Sequence, residues 1–410
     1  MTAKPYRFVE GAVLEDHTKK KHDVLSQYFR QYLIVRCQLP QQERFRLAIV
    51  DGFAGGGRYA CGSYGSPLIF VDTLIKTTNE INTRRAANAM KPIQIECLLI
   101  LNDIDRSVVE VLKENLAPLE ASAKVEATNL RLVIEYHNDA FETIYPVIKA
   151  RINSAGCSNV FFNLDQCGYK FVTSQLIRDI MASWKRAEVL LTFMISTILA
   201  YLSPDKEKSR VPLEAEVQAR IDAIKADQQL LTKSNWLGVC EKIIFEHLRE
   251  CASFVSPFSI TNPNGWHYWL MHFATSYRAR QVYNDVLHSD GLSQAHFGKS
   301  GLRMLAYDPL AGSGQLYLFD GSSRQKAIDS LNEDIPRFIA ESGDSLSVEE
   351  FYTAAYNETP AHSDDIHRSI IECTDIEVIT PNGGRRREPH AIDIGDTLKL
   401  KSQKSFVFGF

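Results

Sequence analysis

The sequence predicts an α/β chain of Rossmann-like type on three observations. Short apolar segments alternate with helical stretches over the first two hundred residues, a glycine cluster follows the first of those segments, and an acidic residue ends the second. Strands that alternate with helices argue for a parallel sheet covered on both faces. At 410 residues the chain is too long for one ordinary core, so more than one domain is expected.

The elements can be taken in order. Residues 23–36 place Val24, Leu25, Tyr28, Phe29, Tyr32 and Leu33 on one face of an amphipathic helix. Lys19, Lys20 and Lys21 precede it and read first as a solvated helix start, with a ligand contact as the lesser reading. Residues 47–50, 97–101, 132–136, 160–164 and 189–193 are buried-strand candidates. Residues 67–77, 106–116 and 141–149 read as helices between them. The long gap from Gly57 to Asp103 calls for an inserted element near residues 77–91. A charged helical insertion is expected over about 203–250, and residues 266–274 form a late aromatic strand.

Past residue 290 the pattern changes. Residues 302–307 and 315–319 read as a hairpin around Asp308-Pro309-Leu310-Ala311-Gly312-Ser313-Gly314. That segment also resembles the glycine loop of circularly permuted DNA methyltransferases, but a strand follows it where those enzymes have a helix. From 345 the order is helix, turn, helix and two strands around Asn382-Gly383-Gly384, which suits a winged helix-turn-helix. The expected division is therefore 1–290, a connector at 291–344, and a winged-helix domain at 345–410.

Composition sets outer bounds. The net charge is −4, which gives no global pull toward nucleic acid or membrane. No long apolar run occurs and residues 1–10 lack a signal core, so a soluble, cytoplasmic protein is expected. The eight cysteines form no CxxC pair and no CxxC…H spacing, so neither a zinc nor an iron–sulfur site is expected, and no residue is assigned as a metal ligand.

The chemistry concentrates at strand ends. Ile49-Val50-Asp51-Gly52-Phe53-Ala54-Gly55-Gly56-Gly57 closes a strand with glycines that let backbone approach a ligand. This D-x-F-x-G-x-G spacing differs from the G-x-G-x-x-G of dinucleotide binders and is frequent in S-adenosylmethionine (SAM)-dependent methyltransferases. It disfavours a nicotinamide oxidoreductase. Asp51, Phe53, Gly55 and Gly57 are the candidate cofactor residues, with Asp51 at the methionine end. Asp103 ends the second strand, where a carboxylate accepts bonds from ribose hydroxyls, and Asp105 reads more simply as a helix cap. Asp139 is the candidate for the adenine amino group, against the alternative of a plain turn residue. Asp165-Gln166-Cys167-Gly168-Tyr169 ends the fourth strand, beside the reacting sulfonium. There Asp165 would accept from a target amine and Tyr169 would stack on a base. Nucleic-acid amino methyltransferases carry D/N-P-P-Y/F at this place, so Gln166 and Cys167 are departures. In the wing, Arg385, Arg386 and Arg387 could neutralise phosphate, although Asp364, Asp365 and Glu372 oppose Arg368 on the preceding helix.

Together these segments resemble the three-Cys-motif partner (TcmP) family. The likeness is carried by Asp16-His17-Thr18-Lys19, His22, Leu25, Tyr28 and Tyr32-Leu33, by residues 51–59, and by Gly65-Ser66-Pro67-Leu68. It extends to the Asp165 to Gly168 turn, to Trp266-His267-Tyr268-Trp269-Leu270 with Phe273-Ala274, and to the C-terminal wing. The resemblance implies a SAM-dependent methyltransferase-like protein. It further implies a separate partner with a three-cysteine motif of radical-SAM type, and a setting in phage defence or mobile elements with DNA or RNA modified. A non-catalytic scaffold that binds SAM or the partner is the rival expectation.

Overall fold

The computed structural model describes residues 12–166, 171–202, 213–226, 233–261, 267–289, 295–296, 301–302, 317–318 and 321–401. The chain divides into two compact units, Met1–Val286 and Leu287–Phe410.

The first unit is built on seven strands in the order β3-β2-β1-β4-β5-β7-β6. They are β1 (Arg44–Asp51), β2 (Gln94–Asn102), β3 (Leu130–His137), β4 (Asn159–Leu164), β5 (Arg186–Phe193), β6 (Phe254–Thr261) and β7 (His267–Ala274). The first five strands in that order, β3 to β5, are parallel, and β7 runs antiparallel to both β5 and β6. This is the α/β, Rossmann-like arrangement of class I methyltransferases. Strand order reverses between β1 and β4, and open α/β sheets place ligands beyond the carboxyl ends of the strands at such a switch point.

Helices α1 (Asp16–Arg36), α2 (Ser66–Ala87), α3 (Arg106–Glu126), α4 (Phe141–Ser154) and α5 (Ser174–Ser183) cover this sheet. Helix α1 begins seven residues before the expected start, so Lys19, Lys20 and Lys21 lie inside it. It packs Tyr28, Phe29 and Tyr32 around Phe161 of β4 with Phe70 of α2, ring centroids 5.1–6.2 Å apart. Each such buried ring contributes on the order of 2 kcal/mol. The length between Gly57 and Asp103 is taken up by α2, a single helix of 22 residues, and no separate element is inserted. Helix α3 continues beyond the expected end at Leu116, through Pro118. Pro118 is exposed there, so the carbonyl it leaves unbonded can turn to water. Buried Arg85 of α2 donates to five backbone carbonyls at 2.7–3.3 Å, those of Cys37, Leu39, Pro40 and Gln42 in the α1–β1 connection and that of Lys91 before β2. That uses the whole guanidinium fork.

The sequence reading named no strand at β6, whose Pro257 lacks a ladder donor. The strand pairs nonetheless with β7 from Phe254 to Thr261. The inserted region contributes α6 (Ile195–Tyr201), α7 (Ala215–Ala226) and α8 (Lys233–Arg249), while residues 203–212 lie outside the described set. Helix α9 (Tyr277–Ser289) follows β7. No helix among the described residues is long and apolar enough to cross a membrane.

The second unit is a winged helix-turn-helix. A two-residue ladder joins β8 (Ala295–His296) to β9 (Tyr317–Leu318). The expected pairing partner at 302–307, and the glycine-rich loop 308–314, fall almost wholly outside the described residues. Then come α10 (Gly321–Glu341), β10 (Ser345–Ser347), α11 (Val348–Ala355), α12 (Ser363–Glu372), β11 (Ile376–Ile379) and β12 (Thr397–Leu400). The three strands form a sheet in the order β10-β12-β11. A full capping box of Ser347 and Glu350 starts α11, and Arg324 of α10 forks onto buried Asp365 of α12 at 2.8 and 2.9 Å. The expected connector helix therefore packs as part of the winged unit.

Candidate cofactor site at the strand tips

The β1 tip is built by hydrogen bonds that cross the switch point. After Asp51 the chain turns so that the Gly52 N–H reaches Asn163 O of β4 at 3.0 Å, and the Ala54 N–H reaches Asn102 O of β2 at 2.9 Å. A side chain at Gly52 would meet Leu164 and Phe141 at 2.8–2.9 Å. Gly57, at φ +78°, would drive a Cβ into Leu68 and Leu112 at 2.6 and 2.7 Å. The role of Gly57 is thus close packing of the loop against α2 and α3. Gly55, at φ +61°, adopts a left-handed conformation that glycine tolerates freely.

Asp103 anchors that loop. Its Oδ2 accepts from the Gly55 N–H at 2.9 Å and its Oδ1 from the Asp105 N–H at 3.0 Å. Burial raises its pKa, against the two backbone donors. Asp105 caps α3 by accepting from the Ser107 N–H. Asp139 is exposed, and its Oδ1 accepts from the Ala140 N–H at 2.7 Å. Phe53 is half-buried between Phe141 and Phe171, at 5.7 and 6.3 Å. Ile104 beside Asp103 is 73% exposed and Phe171 is 52% exposed, so apolar surface is open at this rim.

Asp51 has no exposed surface, and neither of its carboxylate oxygens has a partner in hydrogen-bonding geometry. Burial pushes its pKa up to about 7; the nearby dipoles of Ser66, Asn163 and the Phe53 N–H offset part of that rise, while Asp165 adds to it. A carboxylate so placed is an acceptor in need of a cation.

Three groups that the sequence reading missed complete the site. Asn102 is 1% exposed and donates to Gly52 O and Asp139 O, at 3.1 and 3.0 Å, while its Oδ1 accepts from the Asp139 N–H at 3.3 Å. Lys21 of α1 is ion-paired with Asp165. Burial alone would raise the Asp165 pKa, but Lys21, Thr192 and His22 outweigh it and the net direction is down. Gln166 accepts from the Phe171 and Val172 N–H groups at 3.0 and 3.2 Å, closing the turn without prolines. The signals were faint. Asn102 looked like a strand end, and Lys21 belonged to a basic run that read as solvated. Tyr169 and Cys167 lie outside the described residues.

The wing arginines differ among themselves. Arg386 forks onto Asp396, which has no exposed surface, at 2.9 and 3.2 Å. Arg385 pairs with Glu377 at 3.1 Å, and Arg387 is exposed. The exposed positions of α12 include Asp364, Arg368 and Glu372, an acid-rich stripe one helical turn apart.

Residues 307–383 match the family model of the GMT-like wHTH domain. No curated protein matches the chain. Among solved structures, a protein described as an O-methyltransferase from Klebsiella pneumoniae is 9% identical, with 64% of this chain and 92% of that one covered and a TM-score of 0.26. Loganic acid methyltransferase with SAH is 7% identical over 96% of this chain and 99% of that one, with a TM-score of 0.23. Scores this low transfer neither site nor reaction to this chain.

Proposed function

We propose that the first unit binds SAM at the carboxyl ends of β1, β2 and β3 and is a methyltransferase. The observation that carries this is the Asp103–Gly55 hydrogen bond at the switch point, which holds a glycine loop against a strand-end carboxylate. The residues present fit the ligand. Each Asp103 oxygen keeps a lone pair beyond its backbone bond, enough for two ribose hydroxyls. Ile104, Phe53 and Phe171 offer apolar faces for adenine, with Asp139 at the rim. The orphaned Asp51 suits the ammonium of the methionine end, which reaches it only if the groups covering it part.

Bound SAM supplies an electrophilic methyl group. The chain's part is to hold ligand and acceptor in line and to exclude water. Asp165, at the end of β4, would accept from a target amine. A nucleic-acid acceptor, and a three-cysteine partner working with this chain, are the fuller reading, supported by the family resemblance and by the winged helix. The acid-rich α12 stripe favours the partner as the occupant of the winged unit.

One observation favours a non-catalytic scaffold instead: the carboxylate meant for the acceptor is held by Lys21. Calorimetry with SAM, S-adenosylhomocysteine and NAD tests binding. Asp103→Ala is expected to weaken SAM by about 1–3 kcal/mol, and equal affinity for NAD would overturn the site. Labelled methyl transfer to DNA, RNA and the partner separates enzyme from scaffold. The enzyme reading expects Asp165→Ala to retain SAM but lose at least about two decades of rate.

A further inference from the structure

Outside the strand tips, the most unusual cluster lies in the inserted helices of the first unit. His247 sits in the last turn of α8 with its side chain 4% exposed. Its Nε2 lies 3.0 Å from Glu214 Oε2, but its Nδ1 is buried without a hydrogen-bond partner. Glu216 of α7 lies beside that nitrogen, and Glu250, just past α8, brings a third ligand atom to the cluster. One ligand atom from each of the three residues lies within 4.8 Å of the other two, and Glu216 Oε2 is 3.6 Å from Nδ1.

We propose that Glu216, His247 and Glu250 bind one divalent transition-metal ion of the zinc or manganese class. Bonds of about 2.1 Å in a tetrahedral shell put ligand atoms about 3.4 Å apart, so the Glu216–His247 pair is already near that spacing. One imidazole with two carboxylates suits such ions better than calcium or magnesium, which take oxygen alone. Glu214 stands where a metal-bound histidine usually finds its orienting carboxylate, on the other ring nitrogen. The neighbouring Glu246 is paired with Arg220 and Lys242, and Arg178 reaches Glu250 only at 3.4 Å. A metal would have to displace that one contact.

The site would act as a clip. Glu214 accepts from both the N–H and the hydroxyl of Ser174, the first residue of α5. An ion on His247 therefore fixes α7 and α8 to the start of α5, the helix that follows the Asp165 turn. Such a site departs from the expectation of no zinc site, which rested on cysteine spacing, whereas these ligands are one histidine and two glutamates.

The test uses the full chain stripped with EDTA and titrated with ZnCl2 or MnCl2, while CaCl2 and MgCl2 serve as hard-ion controls. The expected result is one-to-one binding of zinc or manganese with a rise in Tm. Glu216→Gln and Glu250→Gln should each weaken binding at least tenfold while leaving the Tm of the stripped chain near wild type, since both side chains are largely exposed. Cys61→Ser, at an exposed thiol, should bind as wild type. Absence of a one-to-one site, wild-type affinity in both glutamine variants, or loss of binding in Cys61→Ser would each overturn the assignment.

Discussion

The β1 tip and the wing each gather charged residues, and they dispose of them in opposite ways. At the tip, Asp51 is buried with no donor in good hydrogen-bonding geometry, only the nearby dipoles of Ser66, Asn163 and the Phe53 N–H, and Asp103 accepts from the Gly55 and Asp105 N–H groups. In the wing, Arg386 closes a fork on a buried aspartate of its own chain and Arg385 is paired, leaving Arg387 exposed. A charge that a fold leaves unsatisfied is costly and calls for a ligand; a charge that the fold satisfies is architecture. The comparison supports the proposed ligand site in the first unit, while two of the three wing arginines are paired within their own unit.

The largest expected effect breaks the tip itself. Gly57→Val should destabilise the first unit by roughly 3–6 kcal/mol, because its Cβ meets Leu68 and Leu112 and its φ is positive. Chemical denaturation measures this, and a near-wild-type midpoint would remove the packing role. Asp51→Asn sharpens the comparison through pH. Its raised folded pKa means that Asp51 favours folding fully below the unfolded value near 4 and loses that contribution as pH rises to about 7. The asparagine variant should therefore exceed wild type by up to about 4 kcal/mol at pH 8 and match it near pH 4, while SAM binding weakens. A stability difference that does not change with pH would mean that Asp51 is not held protonated.

How much of this was legible in the sequence follows from the same division. The alternation of strands and helices, the glycine loop and the strand-end aspartates were readable because backbone geometry demands those residue types. Strand β6 was hidden by Pro257, whose missing donor argues locally against a strand that the neighbouring β7 nevertheless pairs. Lys21, Asn102 and Gln166 were hidden for another reason: each acts through a contact set by tertiary packing, and 144 positions separate Lys21 from Asp165. The arginine triplet read as one feature because composition cannot distinguish a solvated cation from a forked one.

Two smaller effects test the wing. Arg386→Ala should lower the thermal stability of the winged unit, since it removes the fork on the buried Asp396 carboxylate and leaves that group with the Asp393 N–H. Thermal unfolding would show it, and an unchanged midpoint would make the fork incidental. Arg387→Ala should change stability by less than about 0.5 kcal/mol. If the wing meets duplex DNA, that variant should flatten the salt dependence of binding by at most about 0.9 in slope. A larger change would mean that Arg387 does not act as one contact.

Asn102 makes the loops after β1 and β3 one mechanical object. A single buried amide holds the carbonyl of Gly52 and both backbone groups of Asp139, segments that follow different strands. Neither loop can open alone without breaking bonds to the same side chain. The amides of both should therefore exchange with solvent at a common rate, and a ligand seated against one should slow exchange in the other. Coupling of this kind needs no change of shape, only a shared fastener.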